Sequence, residues 1–155
     1  MFLKSIGLLT HPVLYISYYL KKNRIEYYDR LDEVRKKGNY EQWVKFFLQA
    51  VIATCEDSIH TIEELSALRS KNLKAIPQTK IAKNLFEYIE RNPIIDIKKT
   101  ALELGVSYNG LAKTVTGFVQ KSILKEKTSA KRNRVFYYDD YLEILKKDTD
   151  NLCYS

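Results

Sequence analysis

A chain of 155 residues has room for one domain or two small ones, and with 45% hydrophobic and 29% charged residues it can bury a core, which excludes wholesale disorder. Twenty-six Lys and Arg against nineteen Asp and Glu leave a formal charge of +7, a balance that favours acidic partners such as nucleic acid. Cys55, Cys153, His11 and His60 have no metal-ligand spacing, so neither a metal nor a cofactor is expected, and the thiols are read as reduced in a cytoplasmic protein.

The apolar start, Phe2 to Leu20, is interrupted by Lys4, His11 and Pro12, and no small-residue cleavage site follows it. It is read as a core helix, not as a leader or a membrane span. Pro12 suits a first helical turn, with Val13, Leu14, Ile16, Tyr19 and Leu20 as an apolar stripe behind it. A second stripe, Tyr27, Tyr28, Leu31 and Val34, runs to Gly38, a helix stop. A longer helix begins near Tyr40. Trp43, Phe47, Val51, Ile59, Ile62, Leu65 and Leu68 recur in it at roughly three- and four-residue intervals, with one double step from Val51 to Ile59, as far as Arg69. Residues 1–74 therefore read as a helical region with a wide apolar face. Its burial calls for a helical partner, either a second copy in a homodimer or a separate domain.

The periodicity breaks between Asn72 and Thr79, and the pattern changes at Pro77. A helix from about Gln78 to Arg91 turns Ile81, Leu85, Phe86 and Ile89 inward, and Asn92-Pro93 ends it. Ile94, Ile95 and Asp96 lead into a short helix that Asp96 caps, with Ala101 and Leu104 facing inward and Gly105 as the left-handed stop. Val106 plugs the turn, Ser107 caps the next helix, and Leu111, Val115 and Phe118 pack on the core. This is the layout of a helix-turn-helix, although a plain helical hairpin has the same periodicity. Ile123 to Thr128 and Arg134 to Tyr138 read as two strands around a basic tip, Ser129 to Arg134, and Tyr141 to Lys146 as a closing helix. The expected fold is mainly α: a helical segment followed by a winged helix-turn-helix domain at 77–147, with three helices and a β-hairpin wing, and then a tail at 148–155.

Between residues 77 and 147, fourteen Lys and Arg face eight Asp and Glu, a net +6, against +3 for residues 1–76 and −2 for the tail from 148. If it binds duplex DNA, the helix from Ser107 enters the major groove and offers Tyr108, Asn109, Lys113 and Thr116. Asn109 suits an adenine edge, and Ser107 and Lys113 suit phosphate. Lys131, Arg132 and Arg134 would meet the backbone or a narrow minor groove, with Lys98 and Lys99 as further phosphate contacts. Other roles stay open: Ser107 and Asn109 serve equally as caps, and the wing tip as a solvated turn. Gly110 and Gly117 each cost a helix about 1 kcal/mol relative to alanine. They either allow close approach to DNA or mark a helix that has left a DNA-reading role.

Several segments carry a family resemblance. They are Gly7-Leu-Leu-Thr-His-Pro-Val-Leu-Tyr-Ile-Ser17, Asn23-Arg-Ile-Glu-Tyr-Tyr28, Val34-Arg35, Trp43-Val-Lys-Phe-Phe-Leu48, Lys131-Arg-Asn-Arg-Val-Phe136 and Tyr141-Leu-Glu-Ile-Leu145. Together they resemble the region downstream of the catalytic motif in the Fic (filamentation induced by cAMP) family, over nearly the whole chain. Fic enzymes transfer AMP from ATP to a hydroxyl side chain, using a loop of the form H-x-F-x-D/E-G-N-G/K-R. Here His11-Pro12 is followed by Val13-Leu14-Tyr15, and no Gly-Asn-Gly-Arg comes after it. The family's inhibitory helix is not evident either, and His60 reads as a partly exposed helix residue. No catalytic residue carries over, and the sequence reads as beginning just after the chemistry. The resemblance implies a non-catalytic, DNA-binding, regulatory part of a Fic-type protein. Two alternatives are a helical partner that completes a separately encoded Fic adenylyltransferase, and a remnant with no selected role.

Overall fold

The computed structural model describes residues 16–127 and 134–147. They are mainly helical, with one small three-stranded antiparallel sheet. The chain divides between Glu63 and Glu64 into two compact units.

The first unit holds α1 (Ile16–Lys22), α2 (Arg24–Lys37) and the part of α3 (Tyr40–Ala75) up to residue 63. Asn23 separates α1 from α2, and its side-chain amide donates to the Tyr19 carbonyl at 2.9 Å. Gly38 ends α2 as the sequence suggests. It takes the left-handed conformation, φ 66°, that a Cβ disfavours, and its N–H donates to the Val34 carbonyl. The three helices meet through aromatic rings: Tyr27 lies 5.5 Å from Trp43 and 6.5 Å from Phe46, and Tyr19 lies 6.0 Å from Phe46. Among the described residues of this unit, only Phe46, Ala50 and Thr54 are buried, and the Thr54 hydroxyl donates to the Ala50 carbonyl at 2.7 Å. Among the described residues, that core is as thin as its three helices imply.

The second unit opens with the remaining turns of α3 and continues through α4 (Lys80–Arg91), β1 (Ile94–Asp96), α5 (Ile97–Leu104), α6 (Tyr108–Gln120), β2 (Lys125–Glu126), β3 (Val135–Tyr137) and α7 (Asp139–Lys146). Its core joins Leu85, Phe86 and Ile89 of α4 to Leu111, Val115 and Phe118 of α6, and closes over them with Ile95, Phe136 and Tyr138. The sheet order is β1-β3-β2, with Ile95 opposite Phe136 and Lys125 opposite Tyr137.

Several expectations change. Ile94–Asp96, expected only to lead into a helix, is a strand on the edge of the sheet. Its pairing depends on residues some forty positions later, which no local pattern reveals. The strand expected at 123–128 shrinks to Lys125–Glu126. The N–H groups of Ile123 and Leu124 both donate back to the Phe118 carbonyl, at 2.9 and 3.3 Å, and Ser122 turns left-handed. Those residues finish α6 and fill the core instead of extending the ladder. The last helix starts at Asp139, not Tyr141, and α4 starts at Lys80, because Thr79 serves as its cap.

The largest change concerns the junction expected at 74–77. Helix α3 runs on to Ala75, and the second unit begins at Glu64. Asn72 interrupts the apolar period and yet is buried, because its amide donates to the Tyr138 hydroxyl at 2.7 Å. A satisfied polar group can occupy a core position that pattern reading assigns to a break.

Candidate nucleic-acid interface

Helices α5 and α6 are joined by Gly105, Val106 and Ser107. The Asp96 carboxylate caps α5 by accepting from the Lys99 N–H at 2.9 Å. Gly105 stops α5 at φ 63°, its N–H donating back to Ala101 and Leu102, and the half-buried Val106 packs against the core. Thr100 and Ala101, small and buried, let the two helices approach closely. The Ser107 hydroxyl oxygen accepts from the Gly110 N–H at 3.2 Å, so Ser107 is the cap of α6.

Helix α6 has two distinct sides. Leu111, Val115 and Phe118 have no exposed surface. Asn109, Lys113 and Thr116 are exposed at intervals of four and three, with Ser107 and Tyr108 exposed at the start of the helix. The structure thus brings these five residues to one end and one side of a single helix. Among the described residues, the side chains of Asn109 and Lys113 make no hydrogen bond or ion pair. Thr116 donates its hydroxyl proton to the Ala112 carbonyl at 2.9 Å, which leaves its oxygen free only to accept. Gln120, exposed four residues further along, extends the stripe. The sequence reading missed it, although continuing the helical period would have found it.

The two glycines of α6 separate in role. A Cβ at Gly110 would lie 2.9 Å from the Ser107 oxygen and 3.5 Å from Ile81, so glycine is what allows the cap to close over the first turn. A Cβ at Gly117 would meet nothing within 4 Å. Gly117→Ala is therefore expected to stabilise the chain by about 0.5–1 kcal/mol, read as a raised urea midpoint. A lowered midpoint would refute this account of the site.

On the hairpin side, Lys131 and Arg132 lie outside the described residues. Arg134 is exposed but occupied. Its guanidinium grips the Glu126 carboxylate through two bonds, at 2.5 and 2.6 Å, and lies 5.0 Å from the centre of the Phe136 ring. The hydrogen bond to Arg134 holds the Glu126 carboxyl below its ordinary range. Glu126 in turn raises Arg134, chiefly through the same hydrogen bond. Arg134, expected as a backbone contact, thus has its charge largely matched within the chain.

Lys125 is likewise paired, with Asp139, and Lys99 lies 3.8 Å from Glu103. Lys98, Lys113, Lys121 and Lys127 are exposed and have no ion-pair partner among the described residues. Lys121 and Lys127, which flank β2, were not singled out from the sequence.

Among the described residues, no group of three or more His, Cys, Asp or Glu is placed to hold a metal ion, and no helix is long and apolar enough to cross a membrane. No protein-family model matches the chain.

Proposed function

We propose that the second unit is a winged helix-turn-helix domain that binds duplex DNA, with α6 as the reading helix and β2–β3 as the wing. We also propose that it belongs to the non-catalytic, regulatory portion of a Fic-type cytoplasmic protein. The observation that carries the DNA reading is the stripe of Asn109, Lys113, Thr116 and Gln120 on a helix whose other side is fully buried. The exposed amide of Asn109 has the two-pronged geometry that suits an adenine edge, and the N–H groups at the start of α6 favour a phosphate. Lys98, Lys113, Lys121 and Lys127 supply charge for the backbone. The Fic half of the reading rests on the resemblance of the quoted segments.

The test is fluorescence anisotropy on a labelled duplex over a salt series. If about four phosphates are neutralised, affinity should fall on the order of 100-fold between low and physiological salt. Lys113→Ala should weaken binding on every sequence and reduce the salt slope by about one, whereas Asn109→Ala should relax sequence preference. Glu126→Gln should act in the opposite direction, because it releases Arg134 and steepens the salt slope. Binding that ignores salt, or is unchanged by Lys113→Ala, refutes the reading. For the Fic half, the expected finding is a neighbouring reading frame that encodes His-Pro-Phe and Gly-Asn-Gly-Arg.

The exposed aliphatic residues of α3 favour a second role, as a helical partner completing a separately encoded Fic core. That role predicts co-purification with a protein carrying the missing loop, and AMP transfer only in the complex.

A further inference from the structure

Helix α3 carries an apolar seam on the side away from its packed face. Leu48, Ile52, Cys55, Ile59 and Ile62 follow one another at intervals of four, three, four and three. Leu48, Ile52, Ile59 and Ile62 are each more than half exposed, at 54%, 58%, 58% and 59%. Phe46, Ala50 and Thr54, which hold α3 in the first unit, sit on the opposite face. The exposed aliphatics leave on the order of 400 Å² of apolar surface uncovered, in the range where such patches mark interaction sites. With Val44, Phe47 and Val51 beside them, the area approaches the roughly 800 Å² per partner of a stable interface.

We propose that this seam is a homodimer interface, in which α3 of two copies pair in parallel as a short two-stranded coiled coil. The inference is independent of the DNA reading. The four-three spacing is that of a helix meeting a helix, with Ile52 and Ile59 at the first core position and Leu48, Cys55 and Ile62 at the second; β-branched residues at the first position suit two parallel strands. Charge selects the same arrangement. In a parallel pair the flanking row of Gln49, Glu56 and Glu63 faces Val51 and Ser58 of the other copy, so no like charges meet. An antiparallel pair would set Glu56 against its own copy. Two heptads are short for free peptides, but α3 is already held helical by α1 and α2, so pairing does not have to form the helix.

The test uses the full chain with Cys153→Ser, weighed by sedimentation equilibrium across a micromolar range. The expected mass rises to twice the 18.2 kDa of one chain. Ile52→Lys with Ile59→Lys, both at exposed positions, should give a monomer of unchanged helicity whose thermal midpoint no longer rises with protein concentration. Mild oxidation with copper–phenanthroline should link two copies through Cys55, and Cys55→Ser should abolish the link. Ile62→Cys in that Cys55→Ser background should restore it, because in a parallel pair each residue meets its own copy.

A chain that stays monomeric at every concentration overturns the proposal. So does a dimer that survives the double lysine substitution, or an Ile62→Cys chain that does not cross-link. A double lysine variant that loses helicity also overturns it. A monomer captured by a different helical protein overturns it in favour of that partner.

Discussion

Phe118→Ala should cost the second unit about 3–5 kcal/mol, a large share of the roughly 5–15 kcal/mol that holds a domain folded. Phe118 has no exposed surface and lies on the buried side of α6. Its carbonyl also accepts the two N–H groups that turn the chain out of α6 towards β2. Removing the ring opens a cavity at the place where helix, turn and sheet converge. Urea unfolding followed by circular dichroism measures the loss, and a change below about 1 kcal/mol would show that the core has been wrongly assigned. The proposed DNA binding should disappear with the fold, whereas Lys113→Ala should weaken it and leave the unfolding midpoint in place. That contrast separates a structural residue of α6 from a contact residue.

The second large effect is alkaline. Burial pushes the Tyr138 phenol up to about 12, and the amide of Asn72 offsets only part of that rise. The folded state therefore keeps its proton at pH values where the unfolded chain, titrating near 10, has lost it. The associated stability is fully present below about pH 10 and drains away as pH rises through about 12, amounting to roughly 2–3 kcal/mol. Stability measured against pH should fall through this window together with ultraviolet absorbance of phenolate. In Tyr138→Phe this alkaline fall should shrink. At neutral pH the same variant should lose about 1–3 kcal/mol, because the Asn72 amide is left without its acceptor. An alkaline profile identical to that of the unaltered chain would remove Tyr138 from this role.

What was legible in the sequence is what short-range chemistry decides. Gly38 and Gly105 as left-handed stops, Asp96 and Ser107 as caps, and the inward set of Leu111, Val115 and Phe118 all depend on neighbours within one or two turns. Partnerships across long stretches of chain were not legible. Ile94–Asp96 becomes a strand only because Val135–Tyr137 lies beside it, and Asn72 is tolerated in a core only because Tyr138 receives its amide. Periodicity also identifies which residues share a face without saying what covers it. Ile59 and Ile62 fit the helical repeat as well as Leu68 does, yet they lie open while Leu68 packs on the core.

The candidate interface divides in the same way. Ser107, Tyr108, Asn109, Lys113 and Thr116 were found because one helix displays them. Arg134 was counted as available because its grip on Glu126, eight residues earlier, requires the hairpin to be formed. Cationic tips overstate free charge whenever the opposite strand carries an acid.

The last turns of α3 have a practical bearing on dissection of the gene. An excised fragment that starts at Pro77 would strip away Leu68, Asn72 and Ile76, baring one flank of the sheet-bearing unit and orphaning a phenol in its interior. The shortest self-sufficient piece must open upstream of Glu64, so that the tail of one helix travels with its neighbour as a lid.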